Sequence, residues 1–231
     1  TTNTVSEINT IVASATNTAT AVGEVETVIL TANGTSWSTS ITDIQRTFWD
    51  IDGAGSTAFA AGSDGLIAKS TDGGASWTIL TYGTGSAEWS GVAVADASTL
   101  WVGRNTGVIN KSTDGGVTWN AQGPTLYNIR DMDDATSAVV WAVGDGGGID
   151  KTVDGGGTWL PQVSGVTQNL VAVDAVDVST AVAVGTSGKF LITTDGGTTW
   201  TSKATGVSVD LYGVSFVSAT TGWITGESGT I

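Results

Sequence analysis

Carboxylates are the side chains of this sequence that could carry out a reaction. Six aspartates lie in or beside short apolar segments, namely Asp50, Asp52, Asp131, Asp133, Asp174 and Asp210. Two carboxylates about 5 to 10 Å apart can act as acid and base, or as acid and nucleophile, in glycoside hydrolysis. The alternative is that these positions are polar because they face water. The segment Asp131-Met132-Asp133-Asp134 could hold calcium, but we predict neither a metal ion nor a cofactor.

The composition removes several other kinds of chemistry. The 231 residues include neither cysteine nor histidine, which excludes disulfides, thiolate nucleophiles, imidazole bases and the usual zinc sites. The formal net charge is −14, with 8 basic and 22 acidic residues, and this argues against nucleic acid or an anionic membrane as a partner. No apolar run has the length of a membrane span, and no signal peptide is visible.

One short motif organises the chain. The motif Ser70-Thr71-Asp72-Gly73-Gly74-Ala75-Ser76-Trp77 recurs with its aspartate at Asp114, Asp154 and Asp195, at intervals of 42, 40 and 41 residues. The motif tryptophans are Trp77, Trp119, Trp159 and Trp200, and a shorter copy runs from Asn33 to Trp37. Five landmark glycines are each 41 residues apart: Gly62, Gly103, Gly144, Gly185 and Gly226. A fixed period of this size predicts a repeat architecture.

The motif has the chemistry of a tight turn. Its glycines adopt positive φ without steric cost, and its carboxylate accepts hydrogen bonds from backbone amides just downstream. Its tryptophan can bury ~200 Å² against the next repeat. One aspartate per turn offers too few oxygen ligands for calcium. We therefore expect the repeated aspartates and tryptophans, with Asn33 and Trp37, to be structural.

These motifs resemble the Asp-box, or BNR, repeat, Ser/Thr-x-Asp-x-Gly-x-Thr-Trp. That repeat occurs in sialidases, in sortilin-type receptors and in the photosystem II stability/assembly factor family. The fuller pattern of Trp141-Ala-Val-Gly144, Gly148-Ile149 and Thr152-Val-Asp-Gly-Gly156 is most similar to the assembly-factor type. The resemblance implies a β-propeller. It implies no particular activity, because unrelated proteins share the repeat.

Each unit of about 41 residues predicts one four-stranded antiparallel blade. An inner strand such as Phe48-Trp49-Asp50-Ile51 comes first, and a second strand ends on the landmark glycine. A third strand enters the Asp-Gly-Gly turn, and a fourth leaves through its tryptophan. We therefore predict an all-β, five-bladed propeller over residues 26–231. Residues 26–46 and 209–231 look like two halves of one blade, which would close the ring or complete a blade in a neighbouring chain.

Residues 1–25 lie outside this pattern and are predicted to form an N-terminal arm. Val5, Ile8, Ile11, Val12 and Ala15 have helical spacing, but the segment is rich in Thr and Asn, which form helices poorly. An attachment segment that joins copies of the chain and a frayed terminus are both consistent with this composition.

A few other side chains are candidates for ligand binding. Trp49, Trp89 and Tyr212 occur near inner strands, where aromatic rings could stack on sugars, and Arg104 and Arg130 could anchor a protein or glycan partner. Trp101, Trp141 and Trp223 are instead expected in the core between blades.

Sialidases, which share the repeat, use an arginine triad and a tyrosine nucleophile. The arginines and tyrosines of this chain are Arg46, Arg104, Arg130, Tyr82, Tyr127 and Tyr212. Sialidase propellers have six blades with long inserted loops, whereas every unit here is close to the minimum length of a blade. The resemblance therefore does not extend to the walls of a sialidase active site.

The composition and the arm favour a non-enzymatic structural or binding protein. We expect a component of a virion, such as a phage fibre or decoration, or of a microbial surface assembly, that contacts a protein or glycan. One alternative is an assembly factor resembling the photosystem II type, although that family has seven blades and an arginine-rich face. The other alternative is a glycosidase of the sialidase-like or five-bladed kind.

Overall fold

The computed structural model describes residues 8–15, 18–24, 28–33, 35–39, 46–81, 88–123, 125 and 127–231. In these ranges the chain is all-β, with twenty-two strands and four 3₁₀ turns of three residues each. None of the described ranges forms a helix long and apolar enough to cross a membrane.

The strands form six sheets in chain order. The first sheet contains β1 (Ile8–Ala15), β2 (Thr18–Gly23), β3 (Val28–Thr31) and β4 (Ser38–Thr39). The second contains β5 (Phe48–Ala54), β6 (Thr57–Gly62), β7 (Ile67–Ser70) and β8 (Thr78–Thr81). The third contains β9 (Trp89–Val94), β10 (Leu100–Arg104), β11 (Ile109–Ser112) and β12 (Asn120–Ala121). The fourth contains β13 (Ile129–Asp134), β14 (Val140–Gly144), β15 (Ile149–Thr152) and β16 (Leu160–Pro161). The fifth contains β17 (Leu170–Asp174), β18 (Ala181–Gly185), β19 (Lys189–Thr193) and β20 (Thr201–Ser202), and the sixth contains β21 (Leu211–Ser218) and β22 (Thr221–Gly226).

Five of these sheets have the form of propeller blades. Each has four strands, and each strand is hydrogen-bonded to the next strand along the chain. This meander of four short antiparallel strands is the blade of a β-propeller. The prediction of an all-β fold with five four-stranded blades is confirmed. The origin of one blade differs from the prediction.

The described part of the predicted N-terminal arm forms two strands, β1 and β2. The prediction assigned residues 1–25 to an arm and joined residues 26–46 to residues 209–231 in one closing blade. Instead β1 and β2 pair with β3 and complete the first sheet, while β21 and β22 form a two-stranded sheet of their own. The helical spacing was misleading because the segment is rich in Thr, which favours strands, and because β3 offers an edge with which β2 can pair.

The chain divides into two compact units, residues 1–102 with 112–119 and residues 103–111 with 120–231. In the first unit, apolar side chains fill the spaces between successive sheets. Val22 of the first sheet packs with Phe48 and Leu66 of the second. A further cluster joins Phe59 of the second sheet to Trp89 of the third.

The second unit is packed in the same way. Trp141 of the fourth sheet lies in one cluster with Leu170 and Leu191 of the fifth. Val184 of the fifth sheet packs with Leu211 of the sixth, with Ile224 alongside. Strands in the middle of these stacks are covered on both faces, which is why β6, β14 and β18 are buried at every position.

The landmark glycines allow a close approach between strands. A Cβ atom on Gly62 would lie 2.1 Å from the Thr47 carbonyl oxygen, and one on Gly144 would lie 2.0 Å from the Asn128 carbonyl oxygen. Both distances are far shorter than van der Waals contact, so any larger residue would push the second strand away from the segment before the inner strand. The same constraint holds at Gly185 and Gly226, but a Cβ atom on Gly103 would instead meet the side chains of Ile129 and Met132.

The three tryptophans that were predicted to lie in the core differ in burial. Trp101 and Trp141 are fully buried, as expected. Trp223 is exposed, which differs from the prediction. It lies on β22, and within the second unit no described sheet packs on that face of the strand.

Candidate functional site

The inner-strand carboxylates join one sheet to the next. The Ile51 N–H donates to Asp50 Oδ1 over 2.8 Å, and the Val92 N–H of the next sheet donates to Asp50 Oδ2 over 2.8 Å. Val92 belongs to an edge strand, whose backbone donors need acceptors outside their own sheet, and a charged acceptor makes such a bond strong. The same arrangement joins Asp52 to Val94, Asp131 to Val173, Asp133 to Ala175 and Asp174 to Phe216, always 42 residues apart.

The sixth candidate carboxylate also has a backbone donor. Asp210 Oδ1 accepts a hydrogen bond from the Ser187 N–H over 2.8 Å. The sequence predicted that these six carboxylates are either catalytic or exposed to water. In the structure, all six accept backbone hydrogen bonds. Five of the six hold successive sheets together.

Two of these carboxylates also contact each other. Burial raises the pKa of Asp174, and hydrogen bonds from the Phe216 N–H and with the Asp133 carboxyl partly offset that effect. A carboxyl group with a raised pKa beside a second carboxylate is found in acid catalysts and in buried structural pairs alike. If the chain had glycosidase activity, Asp133 and Asp174 would be its best candidates for acid and base.

The Asp-Gly-Gly turns are self-contained networks. In the first full copy, the Ser70 hydroxyl donates to Asp72 Oδ1 over 2.8 Å. The Ser76 N–H donates to Asp72 Oδ1 over 2.9 Å, and the Ser76 hydroxyl donates to Oδ2 over 2.5 Å. Gly74 has φ +92°, a left-handed conformation that glycine adopts readily, and its carbonyl accepts the indole N–H of Trp77 over 3.0 Å. These contacts support the structural role that was predicted for the turn.

The other copies repeat the hydrogen bonds to the aspartate, and the Trp119 indole N–H also donates to the Gly116 carbonyl over 3.1 Å. Asn33 is a natural variant of the aspartate, because its Oδ1 accepts the N–H groups of Thr35 and Ser36, each over 2.9 Å. The hydroxyls that donate to the remaining turn aspartates are those of Ser112 and Thr118 to Asp114, Thr152 to Asp154, and Thr193 and Thr199 to Asp195.

The hydroxyl donors lower the pKa of the turn aspartates. The Thr118 hydroxyl, followed by the Thr118 N–H, holds the pKa of Asp114 at about 2, compared with 3.8 for an ordinary aspartate. A carboxylate whose pKa is depressed in the folded state stabilises the fold at pH values above its unfolded pKa, and this contribution is lost as the pH falls towards its folded pKa. The pKa values of Asp72 and Asp195 are likewise about 2, through the hydroxyls of Ser76 and Thr199.

We expect the substitution Thr118→Val to make the fold less sensitive to acid. It removes the hydroxyl that contributes most to the low pKa of Asp114, so that pKa should rise towards 3.8 and less stability should be lost between about pH 4 and about pH 2. Urea denaturation at several pH values measures the stability, and a carboxyl NMR titration measures the pKa. Thr113→Val is the control, and equal pH profiles for the two variants would contradict the assignment.

Three lysines, which the sequence analysis missed, reach from one sheet to the turn of the next. Lys111 Nζ donates to the Gly155 carbonyl over 2.7 Å, and Lys151 Nζ donates to the Gly196 carbonyl over 2.9 Å. Lys69 makes a longer bond of 3.4 Å to the Gly115 carbonyl. The signal was present in the sequence, because each lysine lies three residues before a turn aspartate.

Lys151 is the most enclosed of the three. Its ammonium group lies 4.2 Å from the centre of the Trp141 ring, a cation–π contact, and it also donates to the Val178 carbonyl over 3.1 Å. Burial lowers the pKa of Lys151. These three lysines therefore connect one sheet to the turn of the next.

The aromatic candidates for ligand stacking lie in different environments. Trp89 is 3% exposed and packs with Phe59 and Leu100 in the core, which corrects the prediction that a ligand could reach it. It opens its inner strand as Phe48 opens the preceding one, and this first position is a core position. Trp49 and Tyr212 are 37% and 54% exposed and are accessible to a ligand.

The arginine candidates do not have the environment of a sialidase triad. The Arg130 Nε–H donates to Asp145 over 2.5 Å, and Asp145 also accepts the Asn128 amide over 3.0 Å. Arg46 has a carboxylate partner as well, since its Nε lies 3.7 Å from Asp64. Asp145 and Asp64 thus contact the guanidinium groups of Arg130 and Arg46. In a sialidase, the arginines of the triad would instead bind the substrate. Arg104 is half-buried.

Tyr127 does not have the environment of an activated nucleophile. The Tyr127 hydroxyl donates to the Ala142 carbonyl over 3.0 Å. Burial and the neighbouring Asp150 raise the pKa of Tyr127 far above its usual range, which is the opposite of activation. Tyr212 is exposed, and Tyr82 lies outside the described residues.

Comparison with known proteins identifies the fold. A scan against protein-family models and a search of curated proteins find no match. Among solved structures, "YCF48 bound to D1 peptide" is 18% identical, with a TM-score of 0.57, and the match covers 98% of this chain and 92% of that one. The GH74 enzyme of Niastella koreensis is 19% identical, with a TM-score of 0.73, and covers 90% of this chain but only 39% of the enzyme. The WD40 β-propeller domain of Doa1 is 12% identical, with a TM-score of 0.71, over 92% of this chain and 73% of that one.

Proposed function

We propose that this chain is a non-enzymatic propeller that binds protein partners within a larger assembly. The observation that carries the proposal is the use made of the inner-strand carboxylates. All six accept backbone hydrogen bonds, and five of them connect successive sheets. The use of these carboxylates as acceptors for backbone N–H groups supports a role in the scaffold.

The similar folds are consistent with a protein partner. One of the solved structures holds a peptide, and another is a WD40 propeller domain. The turns of this chain have the hydrogen bonding expected of Asp-box repeats, which supports the resemblance drawn from the sequence. Trp49 and Tyr212 are exposed aromatic side chains that could anchor a partner, and aromatic anchors dominate many protein interfaces.

The larger assembly that we propose is a virion appendage or a microbial surface structure. Support comes from composition: few charged residues, abundant Gly, and neither Cys nor His. Immunoblotting of purified particles and of cell-surface fractions from the source tests the location. Detection at constant stoichiometry would support it, and confinement to the soluble fraction would refute it.

The test for catalysis is a hydrolysis assay with a matched variant. The wild type and Asp133→Asn are incubated with fluorogenic glycosides and with xyloglucan, and we expect no turnover above the blank from either. The Asp133–Asp174 contact is the observation that keeps a glycosidase as the second candidate function. Turnover by the wild type that disappears in a folded Asp133→Asn variant would establish the glycosidase and overturn our proposal.

An assembly factor is a more specific form of the protein-binding proposal. The match to YCF48 extends over nearly the whole chain, which favours testing this form directly. A pull-down with photosystem II subunits decides it. Specific retention of one subunit would support the assembly factor, and no retention would leave the binding propeller without that partner.

A further inference from the structure

Asp150 is a buried carboxyl group that lies apart from the inner-strand carboxylates. It is 4% exposed and lies on β15, directly opposite Ala142 of β14. The same position is occupied by Ala68 in the second sheet and by Leu191 in the fifth, and both are fully buried. A blade of this repeat therefore folds with an apolar residue here, so the repeat itself does not require the carboxyl group of the fourth sheet.

Tyr127 is the partner of Asp150, and two glycines make room for its ring. A Cβ atom on Gly148 would lie 2.2 Å from the Tyr127 ring, and one on Gly144 would lie 2.5 Å from it. In the second sheet, the residue with the backbone position of Gly148 is Leu66, which would leave no space for such a ring. Tyr127, Gly148 and Asp150 thus depart from the repeat together, as members of one contact.

The hydrogen bonds of this contact depend on a proton on Asp150. The Tyr127 hydroxyl donates to the Ala142 carbonyl over 3.0 Å, and it is also hydrogen-bonded to the Asp150 carboxyl group. A hydroxyl has one proton and donates to one acceptor at a time. When Asp150 is protonated, its O–H donates to the tyrosine oxygen, and the tyrosine donates to Ala142. When Asp150 is ionised, the tyrosine must turn to the carboxylate, and its bond to Ala142 is lost.

The neighbouring charged groups do not neutralise an ionised Asp150. Lys151 points to the opposite face of β15, because successive residues of a strand alternate between its faces. In the part of the third sheet that belongs to the same unit, the cations are Arg104, which is half-buried, and Lys111, which donates to the Gly155 carbonyl. The facing strands β14 and β16 have no charged residue. Across the described ranges, no cation forms an ion pair with Asp150.

We propose that Asp150 is protonated in the stable fold and that Asp150 and Tyr127 form a pH-sensitive contact. At low pH this contact holds the segment before β13 against β14 and β15, and it weakens as the pH rises because a buried carboxylate without a cation is costly. The proposal goes beyond the proposed function, since it requires no partner and no substrate.

The direction of the pH dependence follows from the pKa of Asp150. Burial raises this pKa above the usual 3.8, and the hydrogen bond from Tyr127 only partly offsets the effect of burial. A carboxyl group with a raised folded-state pKa stabilises the fold fully below its unfolded pKa, and this contribution is lost as the pH rises through the folded pKa. The turn aspartates behave in the opposite way and at lower pH, so the two effects can be measured separately.

The test uses Asp150→Asn, because an asparagine amide has the shape of a protonated carboxyl group and can donate to Tyr127. Urea denaturation from about pH 4 to about pH 8 should show the unfolding constant of the wild type rising by up to about tenfold per pH unit where Asp150 titrates. Asp150→Asn should lack this rise and should be more stable than the wild type at about pH 8. Asp64→Asn removes an exposed carboxylate and should keep the wild-type profile.

A second measurement examines the tyrosine hydroxyl. Tyr127→Phe should raise the pKa of Asp150 in a carboxyl NMR titration, because hydrogen bonds to an ionised carboxylate are stronger than those to a neutral one. The wild-type titration requires no substitution and therefore decides the matter even if a variant does not fold. A wild-type pKa at or below 3.8, an Asp150→Asn variant that is less stable than the wild type at about pH 8, or an unchanged pKa in Tyr127→Phe would each overturn the proposal.

Discussion

Replacing Gly197 by alanine is expected to destabilise the fold by about 3 kcal/mol. Gly197 has φ +88°, and a non-glycine residue in this left-handed region costs roughly 1–2 kcal/mol. The new Cβ atom would also lie 2.5 Å from Gln162 Oε1 and 2.8 Å from the Trp141 ring. Overpacking of a well-packed core typically costs a further ~1–3 kcal/mol. Trp141 cannot move aside easily, because Trp200 lies edge-on to it at 5.5 Å and Lys151 lies over its ring.

The matched control for this prediction is Gly206→Ala. Gly206 has a similar φ of +79°, but an added Cβ would find no atom within 4 Å. Its loss should be about 1–2 kcal/mol, from the backbone conformation alone. Urea denaturation of the two variants measures both values. Equal losses would show that the turn does not press on Trp141.

The sequence predicted the blades because turn chemistry and close approach are local properties. The Asp-Gly-Gly turns mark the same point in each repeat, and Gly62, Gly144 and Gly185 end the second strand before the turn, so five four-stranded sheets could be expected. The first blade was missed for an equally local reason. Ala21-Val22-Gly23 matches Ala142-Val143-Gly144, but Gly23 precedes Gly62 by 39 residues instead of 41. A strict period of 41 residues therefore does not detect this blade, and its Thr-rich strands have the composition expected of an arm.

The candidate site was harder to predict, because its chemistry depends on pairing between sheets. Asp50 and Val92 become neighbours only when the second and third sheets stack. Before that packing is known, an aspartate on an inner strand is equally suited to catalysis, to water and to a backbone contact. The burial of Trp89 was hidden in the same way. Both faces of these sheets are covered, so hydrophobic alternation does not separate a core tryptophan from an exposed one such as Trp49.

Asp50→Asn is expected to destabilise the fold by about 2 kcal/mol, even though it preserves the shape of the side chain. Both carboxylate oxygens accept backbone N–H groups, from Ile51 and Val92. An asparagine can accept only one of them and directs an NH₂ group at the other donor. Val92 is buried, so its N–H would lack an acceptor, and loss of a hydrogen bond to a charged group costs about 1.5–3 kcal/mol.

The sign of that change separates a structural carboxylate from a catalytic one. Catalytic groups are often held at a cost to stability, so replacing them tends to stabilise a protein. A structural acceptor has the opposite behaviour. Asp64→Asn is the control for the lost charge, because Asp64 is exposed and its φ of +54° suits asparagine, and it should change stability by at most about 0.5 kcal/mol. A neutral or stabilising effect of Asp50→Asn in the same denaturation experiment would show that the carboxylates do not hold the sheets together. Glycosidase activity would then be the better explanation for the aspartates on the inner strands.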